Sequence, residues 1–219
     1  MKRAPCSTTL RPLVSACLVL LCAAETAAAH AWSLNINSGA RRLFLHVGNG
    51  ALSGQAGTLN GGTGTSGIVN TVRADLTVGQ LISGAPQAMT SNSTQSISLY
   101  GDGAVICPSP TSQVLIGAGY RRNNSSTNAV LTVSSPMALT DTSTGEIIPI
   151  TQISWIVSAP GSPTPGVIPS GTFTGGVQTL TTVPGNTYIE NCHTYSYANT
   201  TLRAAGTYTG QVTYTLSSP

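Results

Sequence analysis

Residues 206–216 (GTYTGQVTYTL) alternate residue by residue between two kinds of side chain. Tyr208, Val212, Tyr214 and Leu216 fall on one side of an extended chain, and Thr209, Gln211, Thr213 and Thr215 on the other. A period of two marks a β-strand with one buried and one polar face. Thr and Tyr suit a pleated, half-buried surface, so propensity agrees with pattern. The segment is therefore expected to be one continuous terminal strand with Tyr208, Val212, Tyr214 and Leu216 turned inward.

The same reading applies along the chain. Alternation over 32–36, 43–47, 72–78, 129–133 and 153–157 predicts strands, with Ile97 and Leu99 marking another. Val105–Cys107 and Val114–Ile116 are apolar runs, the pattern of central strands covered on both faces. Phe173, residues 177–180, Tyr188, Tyr195 and Tyr197 supply the late strands. Residues 48–67 are rich in Gly, Ser and Thr and read as a long loop or weakly paired hairpin. Residues 158–171 carry Pro160, Pro163, Pro165 and Pro169 and read as a surface loop. No helix is expected, and no repeat of 20 to 50 residues is visible. Short strands between turn signals indicate an all-β, antiparallel β-sandwich.

Residues 1–31 form a candidate signal peptide, leaving one domain over 32–219. Lys2, Arg3 and Arg11 precede the apolar run Pro12–Ala24, and Ala29-His30-Ala31 resembles a cleavage site. Cleavage is expected after Ala31. It removes Cys6, Cys17 and Cys22 and leaves Cys107 and Cys192, which an oxidising compartment would join. Beyond residue 31 six arginines stand against five acids, a net charge of +1, and no lysine remains. Such a balance gives no reason to expect nucleic acid as a partner. Solubility falls to Ser, Thr, Asn and Gln.

Catalytic signatures are scarce. His46 alternates with apolar strand residues and is expected to be structural and hydrogen-bonded, while His193 should pack locally against the disulfide. The chain lacks a Gly-x-Ser-x-Gly elbow, and its glycine-rich stretches lack the lysine of a phosphate loop. A metal site would need more ligands than Cys192 and His193 supply. The expectation is a non-enzymatic chain with no metal or cofactor. Arg41-Arg42 and Arg121-Arg122 read as solvated strand ends. Tyr188, Tyr195, Tyr197, Tyr208 and Tyr214 suit cross-strand packing better than a sugar-binding groove.

Residues 192–219 (CHTYSYANTTLRAAGTYTGQVTYTLSSP) resemble the closing hairpin of bacterial fimbrial subunits assembled by a periplasmic chaperone and an outer-membrane usher. Spore coat protein U-like and alpha-type pilins end in a similar A-G-x-Y-x-x-x-V-x-Y-x-L pattern, and Ile168–Phe173 looks like a pilin strand entry. The resemblance spans about the last 50 residues. It implies an immunoglobulin-like sandwich lacking one strand, filled first by a chaperone and then by the N-terminal extension of another subunit. That is strand addition to an open edge. Trp32, Leu34 and Ile36 are the donor-strand candidates, and Tyr208, Val212, Tyr214 and Leu216 the assembly edge. The implied partners are chaperone, usher and other fimbrial subunits, with a host or surface glycan for an adhesive subunit. The implied destination is the cell surface or the medium, by way of the periplasm. The other reading, of a different class, is a self-contained secreted carbohydrate-binding sandwich in which Trp32–Ile36 is simply the first strand.

Overall fold

Where the chain is apolar at every position it should be covered on both sides, and strand burial bears this out at the centre of the main sheet. The computed structural model describes residues 34–36, 38–49, 54–55, 58–59, 70–100, 103–123, 126–160 and 168–219. The strands in chain order are β1 (Leu34–Asn35), β2 (Arg42–Val47), β3 (Gly54–Gln55), β4 (Thr58–Leu59), β5 (Val72–Arg73), β6 (Gln87–Ala88), β7 (Thr90–Ser91) and β8 (Gln113–Arg121). There follow β9 (Ala129–Ser135), β10 (Ala138–Asp141), β11 (Ile147–Pro149), β12 (Ile153–Ser158), β13 (Gly171–Thr172), β14 (Gly176–Val183), β15 (Thr187–Tyr197), β16 (Tyr208–Thr209) and β17 (Thr213–Ser217). All named pairings are antiparallel.

The main sheet runs β13-β12-β15-β8-β2, with the short strands β1 and β6 also paired to β15. A second sheet, β14-β9-β17, lies across from it. Between them Ile116, Ala118, Tyr120, Trp155, Ile189 and Tyr195 of the first meet Leu131, Val133, Leu180, Val183 and Leu216 of the second in one core. The chain is thus all-β and sandwich-like.

Strand alternation sends the other side chains of the main sheet outward, and along β15 and β8 and at Phe44 and His46 of β2 most of them are covered too, while Ile156 of β12 stays exposed. Ile36, Phe44, Tyr100 and Tyr188 form one outer cluster, and Ile106, Cys107, Leu115 and Cys192 another. Much of the cover comes from residues 93–100 and 103–107, joined by Ser98 N donating to Ala104 O at 2.7 Å. The expected Cys107–Cys192 disulfide fastens this segment to β15, with Cα atoms 5.4 Å apart and a sequence separation of 85. Closing a loop of that length stabilises by roughly 4–5 kcal/mol in the chain-entropy account.

Several expectations need correction. Val105 is half exposed and makes only an isolated bridge to Ile97, so 105–107 belongs to the covering layer rather than to a central strand. There Ile97 faces outward while Ser98 and Tyr100 are buried, because the surface beneath presents Glu190 and Tyr188. Ser98 Oγ donates to Glu190 Oε1 at 2.5 Å, and the Tyr188 hydroxyl to Oε2 at 3.1 Å. By contrast Val114–Ile116 is central and buried, as expected.

The run 72–78 is a strand only at Val72–Arg73, and Val78 opens helix α1 (Val78–Ser83). Thr77 and Gln80 cap it reciprocally: Gln80 N donates to Thr77 Oγ1 at 3.3 Å and Thr77 N to Gln80 Oε1 at 2.9 Å. Gly84 ends it with φ +63°. Helix-start chemistry outweighed a short alternation. Within 48–67 the described residues are 48–49 and the antiparallel pair β3–β4, and 161–167 of the proline-rich stretch lies outside the described residues.

Gly117 on β8 lies beneath Tyr188, where an added Cβ would overlap the phenolic hydroxyl. Gly117→Ala should therefore destabilise the fold by about 1–3 kcal/mol in urea unfolding, as overpacked sites do. Tyr188→Phe should relieve part of that cost, so the double variant should lose less than the sum of the singles.

Candidate assembly surface

The terminal alternation survives as a burial pattern but not as one strand. Tyr208, Val212 and Tyr214 are half-buried against the core and Leu216 is buried, while Thr209, Gln211, Thr213 and Thr215 are exposed. Tyr208–Thr209 (β16) pairs with β10, whereas Thr213–Ser217 (β17) pairs with β9. The break has a counterpart opposite: Pro136, which has no N–H to donate, separates β9 from β10. Gly210 fits there because a Cβ would come 2.8 Å from Leu139 Cδ2 and 3.1 Å from Pro136 Cγ. Upstream, Asp141 fixes the approach to β16 by accepting from Thr207 N at 3.0 Å. Hydrogen bonds from Ser143, then that from Thr207, hold its carboxyl below the ordinary range.

β17 is tied to the spine of the molecule through one side-chain contact across the core. The Tyr195 and Tyr214 hydroxyls meet at 2.8 Å. Desolvation pushes both phenols up, Tyr214 to about 12 and Tyr195 well above its usual value. Both rings are thus neutral throughout the physiological range.

Among the described residues β9 is the only ladder partner of β17, and β8 the only one of β2. These two end strands, one from each sheet, adjoin along the same side of the core, with Cα atoms within 8 Å. The hydrogen bonds at that side pass through a side chain. Arg41 Nε and Nη2 donate to Ser218 Oγ at 3.1 and 2.6 Å, and Nη2 to Ser218 O at 3.0 Å. The sandwich therefore has a side where two strand edges face one another without a backbone ladder between them.

Of the donor-strand candidates, Trp32 lies outside the described residues, and Leu34 is placed by its backbone alone. Leu34 and Asn35 pair with Tyr188 and Thr187, and Ile36 N donates to Asn186 O at 2.8 Å. Ile36 is buried beside Phe44, Tyr100 and Tyr188. Burying such a side chain contributes roughly 1.5–3 kcal/mol. The N-terminal segment thus has a seat on β15 of its own molecule, on the outer face of the main sheet.

Of the two histidines, His46 is buried and hydrogen-bonded as expected, and His193 differs from expectation. His193 does not pack on the disulfide, because neighbours in a strand point to opposite faces. Cys192 turns outward to Cys107, and His193 turns into the main core, stacked on Trp155 at 6.2 Å with an interplanar angle of 8°. Neither of its ring nitrogens has a hydrogen-bond partner, and burial lowers its pKa to about 3. His46 is buried on the outer face with Nε2 unpartnered. Burial, opposed by a hydrogen bond with the Gly48 backbone, lowers it to about 4. The tyrosines are mostly interior: Tyr188, Tyr195 and Tyr197 are buried, so they present no ring face to solvent.

No group of three or more His, Cys, Asp or Glu side chains suited to a metal ion comes together among the described residues, and no described helix is long and apolar enough to cross a membrane. No protein-family model, curated protein or solved structure matches this chain.

Sequence reasoning missed the Arg41–Ser218 link and the Ser98–Glu190 contact. The second carried a signal: a lone glutamate inside the β-forming run 187–197 needs buried donors. The first carried none, since it joins positions 177 residues apart.

Acid should destabilise the protein through both histidines. Between pH 6.5 and about 4 for His46, and down to about 3 for His193, the unfolded chain binds protons that the folded one does not. Stability therefore falls as pH drops through this window, by about 1.4 kcal/mol per pH unit per group. His193→Phe should flatten that dependence in urea titrations from pH 7 to 4. A separate double-mutant cycle on Tyr195→Phe and Tyr214→Phe should give a coupling of about 0.5–1.5 kcal/mol, as for a single net hydrogen bond.

Proposed function

We propose that this chain is a structural or adhesive subunit of a bacterial surface fibre, exported through the periplasm and joined to its neighbours by donor-strand exchange. In this reading the sandwich is immunoglobulin-like and lacks one strand. The observation that carries it is the side where β2 and β17 face one another without a backbone ladder. Unpaired strand edges are templates for another chain, which a native protein must cover or use. The resemblance of residues 192–219 to fimbrial closing hairpins gives the use.

A periplasmic chaperone would lay a strand along this side first, beside the Tyr208–Leu216 face. The N-terminal segment of a following subunit, with Trp32, Leu34 and Ile36 as alternating anchors, would then replace it at an outer-membrane usher. Main-chain hydrogen bonds supply the affinity, and alternate side chains supply the register. Because Ile36 is seated in its own molecule, the donor must leave β15 before it can serve another. That step lowers the apparent affinity by the fraction of molecules with the segment released.

The seat of Ile36 also favours a second reading, a self-contained secreted carbohydrate-binding module. Behaviour in isolation separates the two. On the fibre reading, the chain expressed without a chaperone polymerises or is unstable, and deletion of residues 32–38 abolishes joining, both readable by light scattering. A monodisperse monomer at every concentration would sink the fibre reading. Fibres formed by the truncated chain would sink only the N-terminal donor assignment.

A further inference from the structure

Three successive outward-facing residues of β15 are each taken by the layer that covers them. Tyr100 stacks on Tyr188, with ring centres 5.6 Å apart and planes at 18°. Ser98 Oγ donates to Glu190 Oε1 at 2.5 Å, and Cys107 is bonded to Cys192. Four residues of strand, about 13 Å, separate the disulfide end of this row from the Tyr188 end. The N-terminal segment sits at the Tyr188 end. Leu34 pairs with Tyr188, and Ile36 is buried with Phe44, Tyr100 and Tyr188. Of that cluster, Tyr100 alone comes from the covering layer.

Side chains dock this layer on the sheet. Among the described residues no backbone ladder joins 93–100 or 103–107 to β15. Its own hydrogen bonds make it one piece from the disulfide to the seat of Ile36. Ile106 N and Cys107 N donate to Ser96 O at 2.9 and 3.0 Å, and Ser98 N to Ala104 O at 2.7 Å. Tyr100 N then donates to Ser98 Oγ at 3.1 Å. A layer docked without a ladder opens locally more readily than a paired strand. The covalent tie, seven positions from Tyr100, opposes that opening by keeping the ring at high effective concentration beside Tyr188.

We propose that the covering layer is a redox-set clasp on the N-terminal segment. With the Cys107–Cys192 bond formed, Ile36 is held in its own molecule; in the dithiol form the layer lifts and Ile36 is released. Closing the clasp passes two electrons from the two thiols to an acceptor disulfide. One cysteine thiolate attacks the acceptor, the other displaces it from the mixed disulfide, and the acceptor leaves as two thiols carrying both protons. Once joined, both cysteines are fully buried, which shields the closed form from attack by thiols. On the fibre reading, the dithiol chain offers its donor strand and the oxidised chain withholds it. That use rests on the fibre reading, whereas the clasp itself does not.

The Ile36 N–H, which donates to Asn186 O at 2.8 Å, reports the clasp by amide hydrogen exchange in the full folded chain. Refolding in dithiothreitol gives the dithiol form, and Cys107→Ala with Cys192→Ala gives its permanent counterpart. In both, Ile36 should exchange at least about tenfold faster than in the oxidised chain, at a rate insensitive to dilute urea, the mark of local opening. Tyr100→Ala with the disulfide intact should speed exchange about threefold or more, so the test survives if the dithiol form fails to fold. Ile97→Ala, on the exposed side of the same layer, should leave the rate unchanged. Three results would overturn the clasp: an unaltered Ile36 rate in the folded dithiol form or in Tyr100→Ala, equal acceleration by Ile97→Ala, or acceleration that grows with urea in step with the β9 amides. Light scattering reads joining separately. Release of Ile36 without joining counts against the fibre reading alone, and joining by dithiol chains whose Ile36 stays protected counts against the clasp alone.

Discussion

Burial of β15 on both faces is the constraint on which the rest of the molecule depends. From Tyr188 to His193 every residue of this strand is buried, and the strand carries contacts in both directions. Outward, Cys192 holds the covering layer through Cys107, and Glu190 takes hydrogen bonds from Ser98 and Tyr188. Inward, Tyr195 reaches Tyr214 of the terminal strand. Along its edges β8, β12, β1 and β6 share its backbone. A strand so enclosed needs a partner for each polar group, and the two unpartnered nitrogens of His193 are therefore a cost, set against stacking on Trp155.

That enclosure also explains what the sequence made legible. The disulfide was readable because export would leave two cysteines, and Val114–Ile116 because apolar runs require cover on both faces. Inward and outward positions at 208–216 followed from a period of two. What escaped were features set by distant neighbours. Ser98 and Tyr100 turn inward, against local polarity, because Glu190 and Tyr188 lie beneath them. The break at Gly210 follows from Pro136 on the strand opposite. Helix α1 was legible in principle, since Thr77 and Gln80 form a capping box, but Val72–Val78 offered a competing alternation. His193 was misplaced by treating sequence neighbours in a strand as spatial neighbours.

The candidate assembly surface was half legible. The Tyr208–Leu216 face and the N-terminal anchors come from alternation and resemblance. Their geometry relative to one another does not. Ile36 sits on β15, while β17 faces β2 on a different side of the core. On the proposed account, assembly is a competition between a short strand's own seat and a longer, unladdered side of another molecule. Among the described residues the first is held by its pairing with β15 and by the burial of Ile36, and a greater advantage elsewhere displaces it.

Amide hydrogen exchange in Thr213–Ser217 tests the central claim most directly, compared between the isolated subunit and the assembled fibre. The account predicts that the β17 amides bonded to β9 are protected in both. Those pointing toward β2 should exchange readily in the subunit and become strongly protected in the fibre. Equal protection of all β17 amides in the two states would mean that the edge is already complete within one molecule, and the account would be wrong.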